Sequence, residues 1–453
     1  METPPNMVFV FADQWRAQAT GYAGDPNVQT PNLDALATQS VNFTAAVANC
    51  PVCSPYRASL ITGQYPLTHG VFVNDVHLGH HVPSIADAFA GAGYDTAYVG
   101  KWHLDGRGRL AFIPPGDRQG FQFWRAMECT HQYNESYYYG DDDTTLKWDG
   151  YDAEAQTRCA AQYVREHDRA RPFFLVLSWG PPHNPYQTAP ERFRALYEPD
   201  AITLRPNVPE SDAAKAREDL AGYYAHCSAL DACLGELLAA LDECSIAENT
   251  IFVFTSDHGD MHGSHGGWRK QWPYDESIRV PFLMRWPAQL GREAREIAEP
   301  FGVVDIMPTL LGLCGIDVPP SVEGSDFAPF LRGEADAPQD AALIACYHPF
   351  SEWWRDRGGR EYRGLRTKRH TYVRSLDGPW LLFDNATDPQ QLENLCGRPE
   401  HAALQAELDA RLQQILDAQG DEFRPSSEYI AQWSYEVDAR GATPSDPWPR
   451  AQN

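Results

Sequence analysis

Five short apolar runs constrain the fold of this chain more than any other feature of its sequence. They are rich in β-branched and aromatic residues, and most lack the polar alternation of a half-exposed strand. Strands that are apolar on both faces are typical of parallel sheets covered by helices on both sides. The runs are MVFVF (7–11), DTAYVG (95–100), PFFLVLSW (172–179), TIFVFTS (250–256) and VPFLMRW (280–286).

Helical patterns lie between these runs. The strongest covers residues 212–243, where apolar residues such as Leu220, Tyr224 and Leu234 recur at helical spacing. Strands that alternate with helices predict a doubly wound α/β fold, in which helices flank a mostly parallel central sheet.

The composition changes at residues 320–340, which are rich in Pro, Gly and acidic residues. We predict a large domain over 1–335, a smaller α+β subdomain over 336–430 and a C-terminal tail over 431–453. The subdomain should contain an antiparallel sheet followed by one helix. Its predicted elements are strands near 341–347, 362–366, 370–374 and 380–384, and a helix over 400–419.

Charge and cysteine content exclude several classes of protein. The chain carries 37 basic and 62 acidic residues, a net charge of −25, which repels nucleic acid and anionic membranes. Ten cysteines are scattered through apolar segments, which indicates buried thiols and a reducing compartment. No apolar run is long enough to span a membrane, and the opening METPPN lacks the features of a signal peptide. We therefore expect a cytoplasmic protein, or a periplasmic or secreted one if a leader was removed.

Polar residues follow four of the predicted strands. Because ligands bind beyond the carboxyl ends of parallel strands, these residues should meet in one site. The site would combine carboxylates for a cation with cations for an anion. The residues are Asp13 and Gln14, Lys101 and His103, His183, and Asp257 and His258.

The oxygen donors of this set suit a hard divalent cation. Asp13, Gln14 and Asp257 could bind Ca²⁺, Mg²⁺ or Mn²⁺, and His258 could be a fourth ligand. An Asp after a strand can instead cap the next helix. In SDHGDMHGSHG, the glycines argue against a helical zinc motif, and His262 and His265 are equally well explained as loop histidines.

The stretch NCPVCSPYRASLITGQYP allows two interpretations. Cys50 and Cys53 form a C-x-x-C pair that could bind zinc or act as a dithiol. Cys53 also begins a C-x-P-x-R string that ends at Arg57.

From Met7 to about Leu395, the chain resembles the type I sulfatases of the alkaline phosphatase superfamily. The resemblance rests on FADQ, TPNLDALA, CSPYRASLITGQYP, GKWHL, PPHNPY, TSDHGD, KQWPYDESIRVPFLMRWP, VEGSDFAPFL and FDNATDPQQLENL. It implies an alkaline-phosphatase-like catalytic domain and a sulfuric ester hydrolase. It also implies that a maturation enzyme oxidises Cys53 to formylglycine, with Cys50 not involved. Ca²⁺ is the favoured ion, with Mn²⁺ and Mg²⁺ as alternatives.

The resemblance also assigns roles. A formylglycine hydrate would bind the metal, which lowers the pKa of one hydroxyl; that oxygen would attack sulfur, and the second hydroxyl would then expel sulfate. Arg57 would orient this nucleophile, and Lys101 and Lys270 would hold sulfate oxygens. The remaining roles are His183 or Lys270 as the acid for the leaving alcohol, His103 as the base for elimination, and Asn74 as an anion contact, although Asn74 could simply form a turn.

Three positions depart from the commonest sulfatase pattern. Gln14 stands where many sulfatases have Asp, His258 where many have Asn, and Tyr56 where Ser is frequent. The resulting D-Q and D-H pairs resemble choline sulfatases, phosphonate monoester hydrolases and some carbohydrate sulfatases. Modification of Cys53 should still be possible, because the Cys, Pro and Arg of the motif are present.

The substrate is harder to predict. Aromatic residues stand beside charged ones in segments 124–140 and 347–366, which favours a small-molecule or oligosaccharide sulfate ester, although large aromatics also fill cores. Choline would require an aromatic cage, to which Trp353 and Trp354 could belong. The alternatives are a phosphonate monoester or phosphodiester hydrolase on the same site, and an inactive protein that binds sulfated glycans.

Overall fold

The structure is a computed structural model that describes residues 4–444, so part of the predicted tail 431–453 lies outside it. Its strands are β1 (Asn6–Asp13), β2 (Val41–Phe43), β3 (Ala46–Val47), β4 (Asp95–Lys101), β5 (Phe123–Met127), β6 (Tyr137–Tyr139), β7 (Thr145–Lys147), β8 (Phe173–Pro182), β9 (Thr250–Ser256), β10 (Phe282–Arg285), β11 (Arg295–Ile297), β12 (Phe301–Gly302), β13 (Ala341–Cys346), β14 (Tyr362–Thr367), β15 (His370–Ser375) and β16 (Gly378–Asp384).

Helices cover both faces of the central sheet. They are α1 (Pro31–Ala37), α2 (Cys53–Thr62), α3 (Pro66–His69), α4 (Ile85–Gly91), α5 (Asp152–Glu166), α6 (Glu191–Arg194), α7 (Ala213–Glu243), α8 (Asp275–Ile278), α9 (Pro287–Leu290), α10 (Ile306–Leu313), α11 (Ala328–Leu331), α12 (Ala402–Gln419) and α13 (Ser426–Gln432). Within residues 4–444, none of them is long and apolar enough to cross a membrane.

The central sheet is mixed, with a parallel middle. Its strand order is β11-β2-β10-β9-β1-β8-β4-β5-β6-β7, and β9, β1, β8, β4 and β5 run parallel to one another. Along β1, Met7, Phe9 and Phe11 pack into one core, while Val8 and Val10 pack into the core on the opposite face. This two-sided burial is what the uninterrupted apolar runs predicted, and the predicted α/β fold is confirmed.

Helix α7 spans 31 residues and matches the predicted helix 212–243. Its apolar stripe, including Leu220, Leu230 and Leu237, is buried beneath one face of the sheet. The sequence did not predict the edge strands β5, β6 and β7, and β10 runs antiparallel to β9. These edge strands are three to five residues long, too short to show a periodic pattern.

The second sheet lies in the C-terminal part of the chain. It is an antiparallel meander in the order β13-β14-β15-β16, as predicted from residues 341–384. Helix α12 covers one face of it through Leu408, Leu412 and Leu416. The proposed boundary at residues 335 and 336 stays a prediction.

The parallel strands deliver functional side chains to one edge of the central sheet. Strand β1 ends at Asp13, β4 at Lys101 and β9 just before Asp257. Helix α2 begins at Cys53 on the same side, all ten of its residues are buried, and Gly63 ends it in the left-handed conformation at φ 66°. The fold therefore holds Cys53 at a rigid helix N-terminus.

Candidate active site

Four potential metal ligands meet where strands β1 and β9 end and helix α2 begins. One ligand atom from each lies within 4.8 Å of the others, and all four residues are buried. The Cys53 Sγ atom is 3.2 Å from His258 Nε2 and 3.6 Å from Asp13 Oδ1. We call this set, which is Asp13, Cys53, Asp257 and His258, the ligand cluster.

Gln14 adds a free acceptor next to the ligand cluster. Its backbone N–H donates to Asp257 Oδ1 at 3.0 Å, and its side-chain Nε2 donates to Asp260 Oδ2 at 2.7 Å. Its Oε1 is buried and has no hydrogen-bond partner among residues 4–444. A buried unpaired carbonyl oxygen is costly, and a cation would satisfy it.

The orientation of His258 also suits a cation. Its Nδ1 is 2.9 Å from the Gly259 carbonyl oxygen and donates a proton to it, so Nε2 is the nitrogen that can present a lone pair to a cation in the ligand cluster. Together with two carboxylates and one amide oxygen, this donor set fits a divalent metal ion.

Arg57 pairs with both carboxylates of the ligand cluster. Its Nη2 lies 3.2 Å from Asp13 Oδ2 and 3.1 Å from Asp257 Oδ2, while its Nη1 donates to Ser178 Oγ at 2.8 Å. The same Nη1 also donates to the Lys101 carbonyl oxygen. The guanidinium is buried, and these contacts fix both of its terminal nitrogens. It therefore forms part of the bottom of the site, below Cys53.

Two lysines place positive charge beside Cys53. Lys270 Nζ donates to Cys53 Sγ at 2.9 Å, and Lys101 Nζ lies 2.5 Å from Asp13 Oδ2. Burial and Asp13 raise the pKa of the Cys53 thiol, but Lys101, Lys270 and His258 outweigh them and hold it well below its usual range. The Cys53 sulfur occupies the position that a hydroxyl oxygen of a formylglycine hydrate would take.

His183 is neutral in this arrangement. Its Nδ1 donates to the Asn184 carbonyl oxygen at 2.9 Å, and its Nε2 is 3.4 Å from Lys270 Nζ. Burial and the neighbouring Lys270 lower the pKa of His183 well below its usual range. The imidazole therefore accepts a hydrogen bond from Lys270.

His103 and Asn74 lie on the other side of Cys53. Asn74 Oδ1 accepts the backbone N–H of Ser54 at 3.0 Å and so caps the first turn of α2. His103 Nε2 is 3.0 Å from Asp75 Oδ1. Burial lowers the pKa of His103, but Cys129 and Asp75 raise it to about 9. The ring atom Nδ1 has no hydrogen-bond partner among residues 4–444, and the role of His103 as the base for elimination stays a prediction.

A cavity of about 280 Å³ opens above Cys53. Its walls include charged and polar residues that the sequence did not single out. Those that matter below are Asp75, Arg109, Cys129, His131, Glu352 and Thr443, which we call the cavity wall. They come from loops without periodic patterns; proximity to GKWHL was the one sequence signal pointing to Arg109, and proximity to Asn74 the one pointing to Asp75.

Other candidates lie outside this arrangement. Cys50 is buried, and burial raises its pKa to about 12. Among residues 4–444, the ligand cluster is the only group of potential metal ligands, and it does not include Cys50. His265 stacks on Tyr274, and Trp353 is fully buried in the core of the C-terminal sheet, which leaves it no face for a choline cage.

His262 also lies away from Cys53. It packs against Tyr223 and Tyr186 and sits 3.6 Å from Asp260, the residue that holds the Gln14 amide. It therefore helps to hold Gln14 in place, through Asp260, and is not part of the ligand cluster.

Buried carboxylates beside fixed cations, at the carboxyl edge of a parallel sheet, define a hydrolase of anionic esters. Comparison with known proteins makes this class specific. Residues 5–316 match the family described as Sulfatase, and residues 263–418 match the C-terminal region of N-sulphoglucosamine sulphohydrolase. The chain belongs to the sulfatase family and is a sulfuric ester hydrolase.

Individual relatives agree with this assignment. The chain is 44% identical to an ulvan-active sulfatase of Formosa agariphila, over 96% of this chain and 85% of the relative. It is 32% identical to an endo-4-O-sulfatase of Bacteroides thetaiotaomicron, over 86% of this chain and 88% of the relative. A solved Bacteroides thetaiotaomicron structure, described with the metabolism of multiple glycosaminoglycans, superposes with a TM-score of 0.85 at 30% identity, covering 95% of this chain and 99% of that one.

Proposed function

We propose that this chain removes sulfate from a sulfated saccharide, using Cys53 in its formylglycine form as the nucleophile. The observation that carries the proposal is that Cys53, Lys101 and Lys270 line one cavity and that Cys53 is also a member of the ligand cluster. A fixed cationic pocket for a tetrahedral anion then lies directly beside the nucleophile.

A divalent cation would be held by Asp13, Gln14, Asp257 and His258, together with an oxygen derived from Cys53. When bound, it would supply Lewis-acid polarisation and offset the negative charge of the site. Ca²⁺ is our first choice because carboxylate and amide oxygens dominate the donor set. The imidazole of His258 keeps Mn²⁺ as the alternative to test, with Mg²⁺ third.

The residues divide the reaction between them. One hydroxyl of the hydrated formylglycine gives up its proton to solvent, its oxygen attacks sulfur, and the bond from sulfur to the saccharide oxygen breaks. Lys101 and Lys270 hold the sulfate oxygens while negative charge moves to the leaving oxygen. Lys270 is the proton donor to that oxygen, because His183 is neutral and carries its only ring proton on Nδ1.

Release of sulfate follows without a new nucleophile. The second hydroxyl on the same carbon loses its proton, a carbonyl forms, and the bond from carbon to the sulfated oxygen breaks. Water then hydrates the aldehyde again. His103, whose Nδ1 has no partner among residues 4–444 and whose ring lines the cavity, is the base that takes the proton of the second hydroxyl.

The saccharide preference rests on the relatives and on the cavity. The two relatives at 44% and 32% identity are an ulvan-active sulfatase and an endo-4-O-sulfatase. Asp75, Arg109, Glu352 and Thr443 line the cavity with donors and acceptors suited to sugar hydroxyls. Formylglycine formation also implies a maturation enzyme as a partner.

Sulfate release from a panel of sulfated oligosaccharides tests the proposal. The protein should be produced together with a formylglycine-generating enzyme, and the tryptic peptide that carries residue 53 should be checked by mass. We expect the highest kcat/KM on a sulfated saccharide, with phosphonate monoesters and phosphodiesters as comparison substrates. A higher kcat/KM on a phosphonate would contradict the saccharide assignment, and binding without turnover by fully converted protein would favour the inactive glycan binder.

A further inference from the structure

His103 is held in a fixed and unusual conformation. Its φ is 61°, its carbonyl oxygen accepts a hydrogen bond from Ser54 Oγ at 2.8 Å, and it is buried. A non-glycine residue with positive φ is disfavoured, so the surroundings must stabilise it. Of the two ring nitrogens, Nδ1 has no hydrogen-bond partner among residues 4–444. The ring lines the cavity above Cys53.

Asp75 holds the other ring nitrogen. Its Oδ1 lies 3.0 Å from His103 Nε2, and Arg109 donates to both oxygens of the same carboxylate, from Nε and Nη2, at 2.9 Å each. The bidentate contact fixes the carboxylate in one plane. Asp75 is itself at φ 60°, so a second disfavoured backbone conformation is maintained at the same place.

This arrangement differs from a surface ion pair. The side chain of Asp75 is 11% exposed and that of His103 is 3% exposed, and both line the cavity. Exposed ion pairs contribute little, whereas a buried carboxylate that orients an imidazole controls its tautomer and its direction.

We propose that Asp75, clamped by Arg109, is a positioning residue for His103. It fixes the imidazole so that Nδ1 faces the group being transferred from the substrate to residue 53. The inference rests on the proposed function, because it gives His103 a place beside the reacting group of that reaction. Asp75 itself does not contact the reacting atoms.

Two substitutions separate orientation from charge. Asp75→Asn keeps an oxygen that can accept from Nε2–H but removes the charge, whereas Asp75→Ala removes both. We expect kcat on an aryl sulfate to fall about 10-fold in Asp75→Asn and about 100-fold in Asp75→Ala, with KM changed by less than about twofold. Asp117→Asn is the matched control, because Asp117 pairs with Arg107 away from the cavity. Melting temperature and formylglycine content are measured for each variant.

A double-mutant cycle tests whether Asp75 acts through His103. In a His103→Ala background, removing Asp75 should change kcat by less than about twofold, because the two losses report one interaction. Additive losses would overturn the inference, and so would a rise in KM alone or an unchanged kcat in Asp75→Ala. If Asp75→Ala does not fold, the Asp75→Asn arm of the same cycle decides the question.

The pH profile gives a readout that a purely structural role would not change. Asp75 raises the pKa of His103, so the limb of the kcat/KM profile that reports His103 should move to lower pH in Asp75→Asn. An unmoved limb would contradict the proposal. The other titratable or charged groups around the ring are Lys101, Arg109, Glu128, Cys129 and His131.

Failure of the proposed function is distinguishable from failure of this inference. Aryl sulfate turnover without any saccharide turnover would refute the saccharide assignment and leave the Asp75 cycle fully measurable. Ring ¹⁵N spectra of His103, assigned with the His103→Ala variant, need no activity at all. The ring should lose its second proton at a lower pH in Asp75→Ala than in the wild type, and an unchanged spectrum would overturn the inference.

Discussion

The floor and the wall of the active-site cavity are built in different ways. The floor consists of Cys53, Lys101 and Lys270, which line the cavity, and of Arg57 and the other residues of the ligand cluster, which lie behind them. These residues come from strand ends, the first two turns of α2 and the loop after β9. Its charged groups are almost fully buried and contact one another directly. The cavity wall comes from loops and from the C-terminal segment, and Glu352 on it is exposed.

This contrast separates two tasks. The floor recognises the sulfate group and performs the chemistry, which every substrate of the enzyme shares. The wall contacts whatever alcohol the sulfate is attached to. Substitutions in the floor should therefore lower kcat on all substrates, and substitutions in the wall should change the ranking of substrates.

The largest expected effect is loss of the nucleophile. Cys53→Ala should lower kcat by at least about 10⁴-fold on every substrate, because no other group can form the covalent intermediate. Cys50→Ala, which removes a buried thiol three residues away, should stay within about twofold of the wild type in sulfate release. Equal losses in the two variants would remove the distinction between these cysteines.

The next effect concerns the cationic part of the floor. Lys270→Ala should lower kcat about 10²- to 10³-fold, because the leaving oxygen loses its proton donor and the sulfate loses a charged contact. Lys215→Ala is the control. Lys215 lies on α7, and its amino group packs over the Trp268 ring, away from the cavity. A Lys270→Ala variant that changes only KM would place this lysine in binding alone.

Metal binding is tested by Asp257→Asn. We expect loss of bound divalent ion and a fall in kcat of at least about 100-fold, partly restored by added Ca²⁺ or Mn²⁺. Asp305→Asn is the control for removing a buried acid, because Asp305 accepts hydrogen bonds from Gly302 and Ser325 and lies outside the ligand cluster. Equal metal content in the two variants, measured by elemental analysis, would argue against Asp257 as a ligand.

The smallest effect belongs to the wall. Glu352→Gln should lower KM for polyanionic oligosaccharides by about two- to fivefold at low salt, because an exposed negative charge at the cavity is removed. It should leave kcat on a small aryl sulfate unchanged. Asp356→Asn, four residues further on and outside the cavity lining, is the matched control. A loss of kcat in Glu352→Gln would contradict the division of tasks between floor and wall.

The same division governs what the sequence could predict. Strands such as residues 7–11 can be predicted from their composition. The residues after them, such as Asp13 and Asp257, must then lie at one edge of a parallel sheet. That the strand ends meet is a consequence of topology, and the sequence predicted it. That Lys270 and the Cys53 nucleophile join them was implied by the resemblance to the type I sulfatases. The roles assigned to these side chains remain predictions.

Only part of the cavity wall could be predicted. Cys129, His131 and Glu352 lie in the aromatic segments 124–140 and 347–366, whereas Asp75 and Arg109 could not be found, for a physical reason. Asp75 and Arg109 are 34 residues apart in loops, and what joins them is a bidentate contact that no pattern in the sequence records. Aromatic content was a poor guide as well, because Trp353 fills a core, whereas its neighbours Phe350 and Glu352 line the cavity. The raised pKa of His103 likewise depends on Cys129 and Asp75, neighbours that only the structure reveals.

Trapping a covalent intermediate tests the central claim most directly. A Cys53→Ser variant, produced without maturation enzymes and verified by peptide mass, has a hydroxyl nucleophile but no second hydroxyl on the same carbon to expel sulfate. Incubated with substrate, it should release one equivalent of alcohol and retain one sulfate per chain, located at position 53 by mass spectrometry. Continued turnover by this variant, or sulfate retained at another residue, would contradict the account.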